Sequence, residues 1–295
     1  MTILFIGLGA MGEPMARNIA RTADVLLYDV NVKASTRLAQ DIGALALDSL
    51  DVLPDSVDTV VLMVPNSRIV ESLLVEDAKL LNKLPAGSLI IDMSSSEPGS
   101  TAELAKRAAS RSVAYIDAPV SGGVAKAKTG ELAVMVGATP DSLRRARPIL
   151  EAVAGSIHHV GGPGAGDAAK TLNNLLSATN IAAAAEILTA ATRFGIAPEA
   201  MLGVINASTG RSQATEVKYP AFVLNGSFAS GFGMDLMLKD LAIAKSLTSG
   251  AGLDTPVTDA AGTVANAARE FAGSPPDHTE IVRYYENAND VLVRA

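Results

Sequence analysis

The chain of 295 residues carries a formal charge of −7, so it lacks the basic surface that nucleic acid or an anionic membrane selects, and a small carboxylate metabolite is the expected partner. It has no cysteine, which excludes disulfides, thiolate zinc sites and a cysteine nucleophile, and no metal is expected. The length allows two domains with substantial cores.

The first apolar stretch, Ile3–Ile6, has no basic region before it and ends within a few residues at Gly7, as a strand does and a secretion signal does not. A cytoplasmic enzyme is expected. The loop Gly7-Leu8-Gly9-Ala10-Met11-Gly12 follows, then a helical stretch, then a second apolar strand ending in Asp29. Each glycine has its own reason. Gly7 permits the tight turn out of the strand, Gly9 lets the backbone approach a pyrophosphate, and Gly12 lets the helix pack closely on the sheet. The phosphates would sit at a helix N-terminus, where unpaired N–H groups and the dipole favour an anion. Asp29, 22 positions after Gly7, stands where a carboxylate would accept hydrogen bonds from the adenine ribose and repel the 2′-phosphate of NADP. NAD is the cofactor these residues imply. A glycine loop alone is also compatible with a plain turn; the ordered context of strand, loop, helix, strand and acid is what carries the reading.

Strands over Val57–Val64, Ser88–Met93, Ala114–Ile116 and Leu132–Val136 alternate with helices around Asn66–Leu74, Thr101–Ser110 and Ser142–Ala152. This is the pattern of a doubly wound α/β domain. The run Gly161-Gly162-Pro163-Gly164-Ala165-Gly166 ends it, which places a Rossmann-like domain at 1–162 and an all-helical domain at 163–295. Asp167–Phe194 contains no proline or internal glycine and reads as one long helix, apolar on nearly every side in IAAAAEILTAA. Such a helix should be buried all round. A membrane span would place Asn180, Glu186 and Arg193 in hydrocarbon, so a helix shared with a second subunit is the expectation. Pro198–Ala207, Leu236–Ser249, Pro256–Glu270 and Thr279–Val293 read as further helices.

Oxidation of an alcohol needs a group that takes the hydroxyl proton as hydride leaves. The three histidines suit this poorly. His158 and His159 are adjacent on a strand and point to opposite faces, and His278 lies in a polar turn before the last helix. Lys170 is the better candidate, just after the glycine-rich junction, with Asn174 four residues on and therefore on the same helical face. Desolvation and the nicotinium charge would lower its pKa from about 10.4, and a substrate carboxylate would oppose that. On composition alone such a lysine is a surface residue; its place at the domain junction argues otherwise. The segment Asp117-Ala118-Pro119-Val120-Ser121-Gly122-Gly123 follows a strand. Ser121 and the amides of Gly122 and Gly123 could hold a carboxylate by neutral donors, or form an ordinary turn. Ser94-Ser95-Ser96, after another strand, would face the same crevice.

GLGAMGEPMARN, Met63-Val64-Pro65-Asn66, Asp92-Met93-Ser94-Ser95, DAPVSGG, GAGDAAKTLNN and Leu238-Lys239-Asp240-Leu241, in this order, resemble the β-hydroxyacid dehydrogenases, and the resemblance spans about residues 3–247. That family includes 3-hydroxyisobutyrate dehydrogenase, tartronate semialdehyde reductase and L-threonate dehydrogenase. The resemblance implies a Rossmann-like domain, an all-helical domain built on one long helix, and homodimers or homotetramers. Carried over by position, it implies catalysis by Lys170 and Asn174, and substrate binding by Ser121, Gly122 and Gly123. It further implies cofactor contacts by Val64, Pro65, Ser95 and Lys239. Ser95 stands where threonine is usual, and the hydroxyl is kept. Gln213 stands where relatives often carry an aromatic residue, and Phe232 stands alone in Ser-Gly-Phe-Gly; both should lie near the substrate. An inert NAD-binding scaffold or an imine reductase would need no lysine at position 170, so Lys170 counts against both.

Overall fold

The computed structural model describes residues 2–294, which divide into two compact units, Met1–Lys170 and Thr171–Ala295. In the first unit nine strands form one sheet: β1 (Thr2–Ile6), β2 (Asp24–Tyr28), β3 (Leu45–Ala46), β4 (Val57–Leu62), β5 (Leu89–Asp92), β6 (Ala114–Asp117), β7 (Val120–Ser121), β8 (Leu132–Gly137) and β9 (Ala154–Gly161). Six of them run parallel in the order β3-β2-β1-β4-β5-β6. Chain direction across the sheet reverses between β1 and β4, and the C-terminal ends of strands beside such a switch point are where open α/β sheets bind ligands. β8 then pairs antiparallel with β6 and β7, and β9 runs parallel to β8.

The strands are apolar on both faces because helices cover both. Ile3, Phe5, Val25, Leu27, Val61, Ile91 and Ile116 belong to one core, and Leu4, Ile6, Leu26, Val60, Leu62, Ile90 and Tyr115 to the other. Alternate residues along each strand thus serve opposite layers. The expected strands are all present with ends shifted by one or two residues. The two-residue β7 and the helices Val32–Ile42 and Gly123–Thr129 are additions from the structure.

In the second unit the described residues form helices and no strand. The long helix, Ala165–Phe194, has 30 residues and is roughly 45 Å long at 1.5 Å per residue. Leu175, Ala178, Ile181, Ala182, Ala185 and Leu188 feed the core of this unit, together with Tyr219, Met234, Leu241, Ala265 and Ile281. The helix is not covered all round by its own chain. Leu172, Leu176, Ile187 and Phe194 are exposed, Phe194 by 85%, and with Ala183 and Ala190 they follow one helical face. By length and composition this helix could cross a membrane, with 44% of its apolar window buried. The sequence also gives no sign of the wide helical turn Ala214–Val223, a π-helix with Pro220 inside it. Proline lacks an N–H and its ring clashes with the preceding turn, so an ordinary α-turn would be broken there.

Candidate active site

At the end of β1, Gly7 takes φ +97°, and a Cβ there would overlap the carbonyl of Met63. Its N–H donates to Tyr28 O at 3.0 Å, and the next N–H, of Leu8, donates to Asp29 Oδ2 at 2.6 Å. Gly12 opens the helix Gly12–Ile19, and a Cβ there would overlap the carbonyl of Gly7. Gly9 differs from both, since a Cβ on it would meet nothing within 4 Å. Two glycines therefore let backbone meet backbone, and the third faces open space. The helix start carries no side-chain cap; the Glu13 N–H donates to Gly9 O at 3.1 Å and Pro14 has no N–H, so what the turn offers beside Gly9 is the positive end of the dipole. A cradle open at Gly9, under an uncapped helix start and next to Asp29, fits a dinucleotide. Asp29 does more than sequence reasoning gave it: besides the Leu8 amide it accepts from Asn31 N at 2.7 Å, so it also shapes the loop.

Val64, just after β4, is half-buried, and Pro65 beside it is exposed. The Val64 N–H donates to Ser94 Oγ at 3.0 Å, so the turn is held by the segment after β5. Of the three serines there, Ser94 and Ser96 are buried and only Ser95 is half-exposed. Ser94 and Ser96 turn inward instead of facing a crevice, because both serve Asp92. Asp92 Oδ1 accepts from Ser94 N at 2.9 Å, and Oδ2 from Tyr115 Oη at 2.9 Å and Ser96 Oγ at 3.3 Å.

Asp92 is one of three buried carboxylates that the sequence does not bring together. Asp117, the last residue of β6, is fully buried; its Oδ1 accepts from Gly164 N at 2.7 Å and its Oδ2 from Asp167 N at 2.9 Å. Asp167 is 1% exposed; its Oδ1 accepts from Ser96 N at 3.1 Å and its Oδ2 from Thr101 Oγ1 at 2.7 Å. Burial pushes the Asp117 carboxyl up to about 6 against the downward pull of its amide bonds. Burial also raises Asp92 and, helped by the charges of Asp92 and Asp117, takes Asp167 well above the usual carboxylate range. All three acids belong to quoted motifs, but the partners of Asp117 and Asp167 lie 47 to 71 residues away and leave no local pattern.

Ser121 ends β7, opposite Ala133 of β8. Gly122 and Gly123 follow with φ +133° and +71°, conformations that strain any residue with a Cβ. Beside Gly123 a Cβ would meet nothing within 4 Å, so this backbone, like that of Gly9, faces open space. Lys170, half-buried, lies one turn beyond Asp167 on the long helix, in the same compact unit as this segment.

In the second unit, Asn174 Nδ2 donates to Asp240 Oδ2 at 2.6 Å, and Lys239 Nζ lies 3.5 Å from Asp240 Oδ1. The 10%-exposed Asp240 carboxylate thus joins two residues that the sequence analysis named separately. Phe232 packs edge-on against His278 at 5.1 Å. His278 Nδ1 lies 2.8 Å from Phe232 O, and Asp277 caps the short helix there in a capping box with Glu280. Burial lowers the His278 pKa. His159 Nε2 lies 2.8 Å from Ala138 O and His158 Nε2 3.2 Å from Ser156 Oγ.

A doubly wound sheet with an open glycine cradle and an acid directly after its second strand defines an NAD-dependent oxidoreductase. Residues 2–161 match the family model described as the NAD binding domain of 6-phosphogluconate dehydrogenase. Residues 164–285 match the one described as NAD-binding of NADP-dependent 3-hydroxyisobutyrate dehydrogenase. The chain is 37% identical to 2-(hydroxymethyl)glutarate dehydrogenase of Eubacterium barkeri, over 98% of this chain and 96% of that one. It is 35% identical to a 3-hydroxyisobutyrate dehydrogenase of Pseudomonas aeruginosa, over 86% and 88%. Among solved structures, Mycobacterium tuberculosis 3-hydroxyisobutyrate dehydrogenase with L-serine superposes with TM-score 0.88 at 31% identity, covering 96% and 98%. An imine reductase from Pseudomonas sp., 16% identical with TM-score 0.58 over 96% and 99%, shares the fold alone. The chain belongs to the β-hydroxyacid dehydrogenase family. It is an NAD-dependent enzyme that transfers hydride between the cofactor and a small β-hydroxy acid.

Proposed function

We propose that the substrate is a 3-hydroxypropanoate with one substituent at C2, HO–CH2–CHR–COO⁻, of the 3-hydroxyisobutyrate type. The names of the relatives support this reading. 3-Hydroxyisobutyrate, L-serine and 2-(hydroxymethyl)glutarate are this one skeleton with R as methyl, ammonium or a carboxyethyl group. Tartronate semialdehyde, on reduction, gives it with R as hydroxyl. The observation that carries the reading is the Ser121-Gly122-Gly123 segment, a hydroxyl followed by two glycines at positive φ, the second facing open space, in the unit that also holds Lys170.

In this reading the Ser121 hydroxyl and the amides of Gly122 and Gly123 hold the carboxylate by neutral donors. Held by the glycine loop and Asp29, NAD would supply the hydride acceptor for the carbinol carbon. Neutral Lys170 takes the hydroxyl proton during oxidation, and as the ammonium it returns that proton to the carbonyl oxygen during reduction. Asn174, one turn further along the helix, donates to the same oxygen and is oriented by Asp240. Gly7, Leu8, Gly9, Ala10, Met11, Gly12 and Asp29 bind the dinucleotide, Val64, Pro65, Ser95 and Lys239 add contacts to it, and Phe232 lines the substrate. The chain works as a cytoplasmic homodimer or homotetramer, a second copy covering the apolar face Leu172–Phe194. Light scattering at micromolar concentration should show no monomer.

The deciding experiment follows NADH absorbance at alkaline pH with 3-hydroxyisobutyrate, serine, 2-(hydroxymethyl)glutarate and glycerate. Threonate, whose β-hydroxyl is on a secondary carbon, is the contrast. Turnover of threonate alone would overturn the proposed skeleton. Ser121→Ala should raise KM several-fold and leave kcat within about threefold, since the contact exists in ground and transition states alike.

A further inference from the structure

The mechanism above uses none of the three buried carboxylates, although a buried acid is retained at a penalty unless its bonds do something. Asp117 is at once the last residue of β6 and the first of the segment that leads to Ser121, Gly122 and Gly123. Its two oxygens accept from two amides of one turn, those of Gly164 and Asp167, at the start of the helix that carries Lys170. The chain makes room for this contact. A Cβ on Gly166 would lie 2.8 Å from Asp117 Oδ2 and 2.5 Å from Met135 O, and a Cβ on Gly137 would overlap the same carboxylate. Asp167 then ties the turn in a second direction, to Ser96 N and to Thr101 Oγ1 of the helix Pro98–Ser110. Apolar packing would bury the turn but leave its rotation about the helix axis loosely set. Two bidentate carboxylates fix that rotation, and the helix dipole favours an anion where they stand.

We propose that Asp117 and Asp167 are positioning residues for Lys170, fixing the first turn of its helix to the strand end from which the Ser121–Gly123 segment leaves. The proposal rests on the reading of Lys170 as the proton-transfer group. One carboxylate, Asp117, then sets the distance between the group that moves the proton and the groups that hold the carboxylate. A change of 1 Å in such a distance costs catalysis far more than binding.

The test uses Thr101→Val, which keeps the shape and removes one bond to Asp167, with Thr101→Ser as the conservative variant and Asp117→Asn as the stronger one. In Asp117→Asn the new amide group faces an N–H donor and loses that bond. Three quantities are measured on each full-length protein: amide hydrogen exchange over residues 164–171, NADH Kd by fluorescence, and kcat and KM. The expected result for Thr101→Val is exchange about tenfold faster and kcat lower by about tenfold or more, with KM and Kd within about twofold. Thr101→Ser should restore both. Unchanged exchange, faster exchange with normal kcat, or KM and Kd rising in step with the loss of kcat would each overturn the proposal. Lys170→Ala, run alongside, separates the two levels. Normal kcat in that variant removes the role of Lys170 itself, whereas the exchange data report the tether independently.

Discussion

Two helices begin at the C-terminal edge of the same sheet, and their N-termini are treated in opposite ways. The helix Gly12–Ile19 has no side-chain cap and a glycine, Gly9, opening onto empty space. The helix Ala165–Phe194 has its first turn closed from within by Asp117, with Gly137 and Gly166 giving up their side chains to admit the carboxylate. The same physical device, a helix start whose dipole favours an anion, is left open for a ligand in one place and fastens a structural element in the other. What separates the two uses is whether the protein supplies the anion itself.

The largest expected effect probes what the fastened helix carries. Lys170→Ala should lower kcat by at least about 100-fold, the low end for general acid–base catalysis, and leave NADH affinity nearly unchanged. A variant with intact fold and near-normal kcat would send the proton elsewhere. Next comes the contrast of glycines. Gly9→Ala should keep its melting temperature and weaken NADH by about tenfold or more, because its methyl enters the space meant for phosphate. Gly166→Ala should lower the melting temperature instead, since its methyl meets protein atoms. Equal behaviour of the two variants would erase the distinction.

Asp29 sharpens the comparison from another side, being a protein carboxylate placed beside the open cradle. It should favour NAD over NADP by at least about tenfold in kcat/KM through repulsion of the 2′-phosphate. Parity between the cofactors, or preference for NADP, would contradict it.

The smallest effect is one of pH. Asp117 sits at about 6 in the folded chain, above the ordinary carboxylate value. Its contribution to stability is therefore fully present below the unfolded pKa and is lost as pH rises through about 6. His278, whose pKa burial lowers, acts in the opposite sense over the same range, so the comparison must be differential. The melting temperature of wild type minus that of Asp117→Asn should fall by a few degrees between about pH 4.5 and 7, the span that covers the rise of this carboxyl to about 6. A difference independent of pH would show that Asp117 is not titrating there.

The open helix start was legible in the sequence and the closed one was not, and the reason is range. Gly7, Gly9, Gly12 and Asp29 lie within one strand–helix–strand unit, where glycine spacing and apolar period fix their relation before any tertiary contact is known. Asp92, Asp117 and Asp167 acquire meaning only when β5, β6 and a helix start converge, and in one dimension a buried acid resembles a solvated one. Lys170 stands out in the sequence because the glycine run marks its junction; Asp240, which joins Asn174 to Lys239, needed the fold. The long helix was placed within two residues, yet its hydrophobicity alone predicted full burial. One chain covers only part of its circumference, because composition says how apolar a helix is and not how much of the covering comes from the same chain. The wide turn over Ala214–Val223 was hidden behind Pro220, ordinarily a helix breaker.

The volume claimed by the Asp117 carboxylate also bears on how this sequence can drift. Asp117, Gly137 and Gly166 share one small space, so a change at any one of them is felt by the other two. A methyl at position 137 or 166 meets the carboxylate, and loss of the carboxylate leaves a hole beside two amides without acceptors. The three positions are therefore coupled across 50 residues of sequence, and backbone carbonyls of Gly162 and Met135 close the same space from the other side. In Gly137→Ala the methyl would also lie 2.7 Å from Gly162 O, so Asp117→Ala should relieve only part of the destabilisation it causes.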